Sequence, residues 1–262
     1  MNVSSWLTIA KRKINALDAE LILLNTIGEK DRSFLTLHED KKLAEEELKK
    51  ANEFLERRAS GEPLAYILGY KEFYGRDFLV EKGARSLIPR TETESIIEMA
   101  KTLKPAPRKI LDIGTGSGCI AITLKLENPE VEVLASDFSQ GVLELAKENA
   151  KNLGTDVKFI QSDLLDSIDG NFDLIVANLP YVDEDWDWLD KKTLKYEPKE
   201  ALYAEDGGLF LIKKLIHQAK GRTKYLVLES DTSQQEEIIE YAKEFGFSLA
   251  RKDDFITVFK TF

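Results

Sequence analysis

Four consecutive residues, Asn178-Leu179-Pro180-Tyr181, carry the most specific chemistry in the chain. Proline fixes the backbone after Leu179, and a residue that precedes proline is held extended. Such a turn can aim the Asn178 side-chain oxygen and a main-chain carbonyl at one point. Two converging acceptors suit a planar NH₂ group, which has two donors, and Tyr181 offers a flat face to pack against it. An amide or aromatic amine nitrogen is a poor nucleophile because its lone pair is delocalised. Holding it in line with a methyl donor raises its effective concentration by many orders of magnitude. Accepting both N–H bonds favours the charge that develops on it. The expected chemistry is methyl transfer to an NH₂ nitrogen, with no covalent enzyme intermediate and no metal. The bland reading of the same residues is a strand-ending turn with a core tyrosine.

A second constellation weighs against the bland reading. The run Asp112-Ile113-Gly114-Thr115-Gly116-Ser117-Gly118 follows a buried-looking strand and opens a helix near Cys119. Its glycines permit a tight turn and close approach of a ligand to the backbone. The free amides of the helix start favour a carboxylate or phosphate there. The spacing is Gly-x-Gly-x-Gly, not the dinucleotide Gly-x-Gly-x-x-Gly. Asp137 closes the next strand about twenty residues on, where a carboxylate can grip ribose hydroxyls. Ser162-Asp163 closes the third, a place to read an adenine edge. Each aspartate alone could be a helix cap; three such features at three successive strand ends point to a ligand.

These residues need a frame. Residues 1–63 read as a small helical bundle, with Trp6, Ile9, Ile14 and Leu17, then Leu21, Leu24 and Ile27, near helical spacing, and Gly28 as a stop. Residues 40–58 form a wet amphipathic helix ended by Ser60-Gly61-Glu62-Pro63. Residues 64–90, with Gly69, Gly75 and Gly83, read as short strands and turns, a hairpin-like connector. Residues 91–262 alternate strand and helix. Strands are expected at 109–113, 131–136, 157–161, 172–177, 224–229, 247–251 and 255–260. Helices are expected at 93–103, 118–127, 139–152, 207–219 and 233–245. The fold class is α/β, a seven-stranded, doubly wound, Rossmann-like sheet read as parallel.

Composition narrows the function classes. One cysteine and two histidines exclude an internal disulfide and a standard zinc site. The N-terminus has no long apolar stretch, so neither a signal peptide nor a membrane span is expected, and the expected location is cytoplasmic. Net charge is −10, with nearly all the excess beyond residue 80, in the half that carries the chemistry. That field disfavours nucleic acid as a direct substrate. Cys119 at a helix start could have a lowered pKa, although a packing role fits it better. Trp186 and Trp188, in the acidic stretch 183–190, are candidates for a lid or a partner grip, or for a plain anchored surface loop.

Taken together, these motifs resemble the protein-glutamine methyltransferases that modify bacterial peptide-chain release factors. The similarity spans nearly the whole chain. It includes Ala16 to Gly28, the run Arg57-Arg58-Ala59-Ser60-Gly61-Glu62-Pro63-Leu64-Ala65-Tyr66-Ile67-Leu68-Gly69, and Glu72-Phe73-Tyr74-Gly75. It continues through Ile88 to Glu94, Leu111 to Ile120, Glu197-Pro198 and Asp206-Gly207-Gly208. The resemblance implies an S-adenosylmethionine-dependent methyltransferase domain. Gly114, Thr115, Gly116, Ser117, Gly118, Asp137, Asp163 and Leu164 would hold the cofactor, with Asn178 at its edge. Asn178, Leu179, Pro180 and Tyr181 would hold the substrate glutamine of a Gly-Gly-Gln loop. The N-terminal bundle would dock the release factor, and the enzyme would act as a monomer. The chain departs from the family at Leu179 and Thr91, where prolines are usual, and lacks the family's Gly-x-x-Arg tail. Leucine in the tetrad also brings it close to adenine amino-methyltransferases. An enzyme acting on RNA or DNA, a glutamine methyltransferase of a ribosomal protein, and a non-catalytic cofactor-binding scaffold are therefore the competing readings.

Overall fold

A computed structural model describes residues 1–81, 86–187 and 194–261; Gly83 and Trp188 lie outside them. The chain forms two compact units. One is built on Met1–Tyr70; the other runs from Lys71 through the rest of the chain, apart from a short later segment that includes Tyr196.

The first unit is helical: α1 (Val3–Ala10), α2 (Ala16–Ile27), α3 (Ser33–Leu37), α4 (Glu45–Ala59) and α5 (Leu64–Leu68). Local chemistry sets the ends. Asn2 and Asn15 cap α1 and α2 by accepting from Ser5 N and Asp18 N, and Gly28 ends α2 at φ 75°. Trp6, Ile22, Leu23, Leu24, Ala51 and Leu55 form its core. Trp6 Nε1 donates to Asn52 Oδ1 at 2.9 Å, so the indole is buried without an orphaned donor. Arg58 Nε donates to Asp18 Oδ2 at 2.6 Å and ties α4 to α2. Two residues of the helical pattern are misplaced: Ile9 and Leu17 are 44% and 48% exposed.

Residues 64–68 were expected to be extended but form α5, with Pro63 before its first residue and Gly69 closing it at φ 83°. A hairpin of β1 (Tyr70–Phe73) and β2 (Arg76–Leu79) follows. Its turn residues Tyr74 and Gly75 both have positive φ, the reversal that matches strand twist.

The second unit continues with α6 (Glu94–Thr102), β3 (Lys109–Ile113), α7 (Cys119–Glu127), β4 (Glu132–Asp137), α8 (Gln140–Asn152), β5 (Lys158–Gln161) and β6 (Phe172–Ala177). Then come α9 (Phe210–Ala219), β7 (Thr223–Glu229), α10 (Gln235–Glu244), β8 (Phe247–Asp253) and β9 (Ile256–Thr261). The seven-stranded sheet has the order β5-β4-β3-β6-β7-β9-β8. It is mixed rather than parallel throughout, because β9 runs antiparallel to both β7 and β8. Only two residues, Phe245 and Gly246, follow Glu244 before β8, and two separate β8 from β9. A link that short between paired strands permits only a hairpin. Helix α9 begins at Phe210, not at 207, since Gly207 and Gly208 are left-handed at φ 62° and 84°.

Alternation along the strands sorts the core into two faces. Ile110, Leu174 and Val176 pack with Ile96 and Ile97 of α6 and Ile120 and Ile122 of α7. Leu111, Ile113, Ile175 and Ala177 pack with Leu215 and Ile216 of α9 and Ile238 of α10. The register places the site. Ile113 pairs with Ser136 on β4 and with Ala177 on β6, and Asp137 pairs with Gln161. Gly114, Asp137, Ser162 and Asn178 therefore leave the sheet side by side at one carboxyl edge. The chain order reverses direction at β3 and β6, the switch point where open α/β sheets bind ligands.

Candidate active site

The glycine loop is held from beneath and beside. Gly114, Gly116 and Gly118 have φ of 70°, 56° and 83°, a region costly for any residue with a Cβ. Thr115 N donates to Ser136 O at 2.9 Å, and Gly116 N to Asp137 Oδ2 at 3.1 Å. Beneath the loop, Asp112 Oδ2 accepts from Thr115 Oγ1 at 2.6 Å and from Ala121 N at 3.2 Å. Burial pushes Asp112 up to about 7, with those two bonds pulling the other way. Its Oδ1 has no hydrogen-bond partner among the described residues. Asn149 of α8 locks the assembly: its Nδ2 donates to Ser117 O and Leu79 O, and its Oδ1 accepts from Leu79 N.

A cleft of about 320 Å³ opens over this edge, at the lower end of small-molecule sites, roughly 300–1,000 Å³. Gly114, Gly116, Asp137, Asp163, Leu164, Asn178, Leu179 and Pro180 line it. Thr115, Ser117 and Gly118 do not: the first two side chains are buried, and Gly118 packs towards Ala146 of α8. Asp137 splits its oxygens between Gly116 N and Ser139 N, and burial, more than these bonds, moves its pKa, upward. Each oxygen retains a lone pair for a ligand donor. Asp163 Oδ2 accepts from Lys214 Nζ of α9 at 2.6 Å.

In the tetrad, Asn178 Nδ2 donates to Thr93 Oγ1 at 3.0 Å, and Oδ1 has no hydrogen bond among the described residues. Leu179 is buried against the glycine loop. Tyr181 turns away from the cleft. Its ring packs at the edge of the α9/α10 core, and its hydroxyl donates to Glu229 Oε1 at 3.5 Å. Its carbonyl is held by Gln234 Nε2 at 2.8 Å, which also donates to Gly207 O at 2.7 Å. Gly208 presses on the same turn: a Cβ there would lie 2.0 Å from Tyr181 O. The Asp206-Gly207-Gly208 run thus buttresses the tetrad.

Several lining residues are absent from the sequence reading. Phe138, directly after Asp137, is 75% exposed and borders the cleft; a large aromatic left exposed next to an acidic strand end was the signal for it. Ser86 and Leu87 line one side, Glu200 and Ala201 another. These walls are pinned together by Glu197, which accepts from Ile88 N at 3.1 Å and from Arg90 Nη2 at 2.5 Å. Cys119 is buried, and burial pushes its thiol up to about 12, opposite to the lowering a helix start can give. Trp186 donates its backbone N–H to Asp183 O in a turn, outside the cleft lining.

The cleft suits S-adenosylmethionine. Asp137 offers acceptors for a ribose diol, Phe138 a face for a base, and Leu164 and Leu211 an apolar wall.

The chain is similar to known proteins over most of its length. The Methyltransferase small domain family matches residues 93–223, and the PrmC N-terminal domain family matches residues 4–69. A "Release factor glutamine methyltransferase" of Koribacter versatilis is 43% identical over 209 residues, covering 77% of this chain and 73% of the relative. One from Neisseria gonorrhoeae is 35% identical over 254 residues, covering 95% and 91%. Among solved structures, a methyltransferase from Pyrococcus furiosus aligns with a TM-score of 0.55 at 18% identity, covering 71% of this chain and 89% of its own. A ribosomal protein L11 methylase from Lactobacillus delbrueckii subsp. bulgaricus gives 0.51 at 21%, covering 73% and 90%. At those identities the two structures speak for the fold alone, the α/β methyltransferase fold. The sequence relatives reach further: this chain belongs to the release factor glutamine methyltransferase family.

Proposed function

We propose that this chain transfers a methyl group from S-adenosylmethionine to the side-chain amide nitrogen of the glutamine in the Gly-Gly-Gln loop of peptide-chain release factors. The supporting observation is one of register. Because Ile113 pairs with Ala177, the glycine loop and the tetrad open on the same cleft. When bound, the cofactor supplies a methyl group activated by its sulfonium. Gly114, Gly116, Asp137, Phe138, Asp163 and Leu164 hold it; Thr115, Ser117 and Gly118 contribute by shaping the loop. Asn178 Oδ1 and the Leu179 carbonyl accept the two N–H bonds of the glutamine. This orients the nitrogen and favours the positive charge that grows on it. Pro180 fixes the turn, and Tyr181 anchors it through its carbonyl and hydroxyl.

The helical unit is the docking surface for the release factor in this reading, and the enzyme works as a cytoplasmic monomer. Among the described residues no helix is long and apolar enough to cross a membrane. The acidic balance beyond residue 80 disfavours nucleic acid as the direct substrate. The test is methylation with tritiated cofactor, offered release factor, ribosomal proteins and total RNA in parallel. Label is expected in the release factor, at the Gly-Gly-Gln glutamine by mass spectrometry. Label confined to RNA or ribosomal protein would overturn the assignment.

A further inference from the structure

The loop after β5 is held in an unusual backbone shape by side chains of one helix. Leu164 has φ 49°, a left-handed conformation that is rare for a bulky side chain. Of the three described non-glycine residues with positive φ, Tyr74 and Asp206 sit in turns beside glycines, and Leu164 alone lines the cleft. Such strain persists where the surroundings over-determine it, commonly at ligand sites. Here α9 supplies the surroundings. Gln218 Oε1 accepts from Leu165 N at 3.0 Å, and its Nε2 donates to Asp166 Oδ1 at 2.7 Å. One turn earlier, Lys214 Nζ donates to Asp163 Oδ2 at 2.6 Å and stands 3.9 Å from Asp166 Oδ2. Leu211, Lys214 and Gln218 follow one another at helical spacing and share a face of α9; Leu211 itself lines the cleft.

We propose that Lys214 and Gln218 clamp the Asp163-Leu164-Leu165 segment in the shape that distinguishes the adenine of the cofactor from other purines. The inference rests on the reading that this segment borders the base. Stability does not account for the ion pair: the Lys214 and Asp163 side chains are 31% and 44% exposed, and exposed pairs contribute little. Geometry accounts for it. With Leu165 N–H and Asp163 Oδ2 taken by the helix, Leu164 N–H and Asp163 Oδ1 have no hydrogen bond among the described residues. They are one donor and one acceptor on adjacent residues. The pairing edge of adenine presents the complement, a ring-nitrogen acceptor beside an NH₂ donor. Hypoxanthine, its deaminated counterpart, presents the reverse, a ring N–H beside a carbonyl oxygen. Donor would then meet donor, and acceptor meet acceptor. Without the clamp, Leu164 is free to leave the left-handed region and Asp163 to turn towards water, and the loop offers no fixed pattern.

Lys214 and Gln218 are thus positioning residues. They hold the main chain and carboxylates of the loop, and neither lines the cleft. The scale of their effect follows from populations. When the clamp is released, the fraction of molecules ready to bind falls, and the apparent Kd rises by the same factor. The strain of one left-handed residue corresponds to about 5- to 30-fold.

The test is calorimetry on the full chain with two ligands, S-adenosylhomocysteine and S-inosylhomocysteine, which differ only at the purine edge. The wild type is expected to prefer the adenosine form at least about tenfold, since the other leaves polar groups mispaired. Q218A and K214M should each weaken S-adenosylhomocysteine about 5- to 30-fold and the inosine form much less, so the preference shrinks towards parity. K214R restores a cation at that position and should recover most of the affinity and preference lost in K214M. General damage to the fold would weaken both ligands alike. Affinity within about twofold of wild type in both variants, or equal losses for the two ligands, overturns the clamp. If Q218A does not fold, K214M against K214R decides alone. A wild type without the preference, or a preference that D163A leaves intact, is a different failure: it moves the base away from Asp163 and removes, with that placement, the role given to the clamp.

Discussion

Leu179 lies against Gly114: a methyl group on that glycine would stand 2.9 Å from Leu179 Cδ2. The leucine side chain reaches the glycine loop, so the turn of the tetrad and the glycine loop are packed on each other. Leu179→Ala should destabilise the protein by about 2–5 kcal/mol, the usual cost of emptying a buried leucine site. Gly114→Ala adds a side chain at φ 70° and should cost about 1–2 kcal/mol more than the contact alone. The double variant should lose less than the sum, since the new methyl enters the space leucine vacated. Urea denaturation of the four proteins gives the coupling energy; strict additivity would mean the two residues do not share that space.

Gly208 presents a harder limit. A Cβ there would meet Tyr181 O at 2.0 Å and Tyr181 C at 2.6 Å, and backbone cannot swing aside as a side-chain tip can. Gly208→Ala should therefore displace the tetrad and abolish turnover, even in preparations that still bind cofactor. Gln234→Ala is a gentler probe of the same buttress. It leaves the Tyr181 and Gly207 carbonyls without their shared donor, at a cost of about 1–3 kcal/mol. Its effect should fall on kcat more than on cofactor affinity. Turnover measured at saturating cofactor separates the two; an unchanged kcat in Gly208→Ala would show that the turn tolerates displacement.

How far this site could be read from sequence depends on what each residue's role requires. Gly114, Asp137 and Asn178 were legible because each sits at a strand end, and strand ends follow from buried runs such as Leu111 to Ile113 and Leu174 to Ala177. The direction of β8 and β9 was not, because an alternating pattern reads the same for either orientation. Residues 64–68 have the apolar and aromatic texture of a strand, yet Pro63 and Gly69 confine them to one helical turn. Thr115 and Ser117, which the resemblance placed among the cofactor residues, have buried side chains between glycines of positive φ, a placement that the loop's spacing alone did not reveal. Thr93 was hidden for another reason: it lies 85 residues from Asn178 in the chain, and only the closed sheet brings them together.

Phe138 offers a test of the cofactor end that leaves the fold alone. The ring is 75% exposed, so its removal creates no cavity. If it stacks on the adenine, Phe138→Ala should weaken cofactor binding about tenfold, within the ~1–3 kcal/mol that a base–aromatic stack contributes. Thermal stability without cofactor should be unchanged, and kcat at saturating cofactor should stay near wild type. Calorimetry with S-adenosylhomocysteine, which carries the same adenosine, is the direct measurement. Undiminished affinity would place the base elsewhere in the cleft.

Asp112 and Glu229 together predict an unusual pH dependence of stability. Burial raises both carboxyls to about 7, whereas in the unfolded chain they titrate near the ordinary carboxylate values, about 3.9 and 4.3. Between those limits the folded state holds protons that the unfolded state has released, so stability falls as pH rises. Their contribution is fully present below about 4 and lost by the time pH passes 7. The surface carboxylates with lowered pKa, such as Glu20 and Asp173, act in the opposite sense but titrate lower, so they do not mask the range from 6 to 8. Chemical denaturation without cofactor should therefore give a smaller unfolding free energy at pH 8 than at pH 6. Asp112→Asn should flatten part of that slope, whatever it does to the absolute stability, and Glu229→Gln a further part, while Asp137, which burial also raises, keeps its share. A stability that rises across this interval would mean that both carboxylates are already charged in the folded state. The orphaned Asp112 Oδ1 and Glu229 Oε2 would then require partners supplied by solvent.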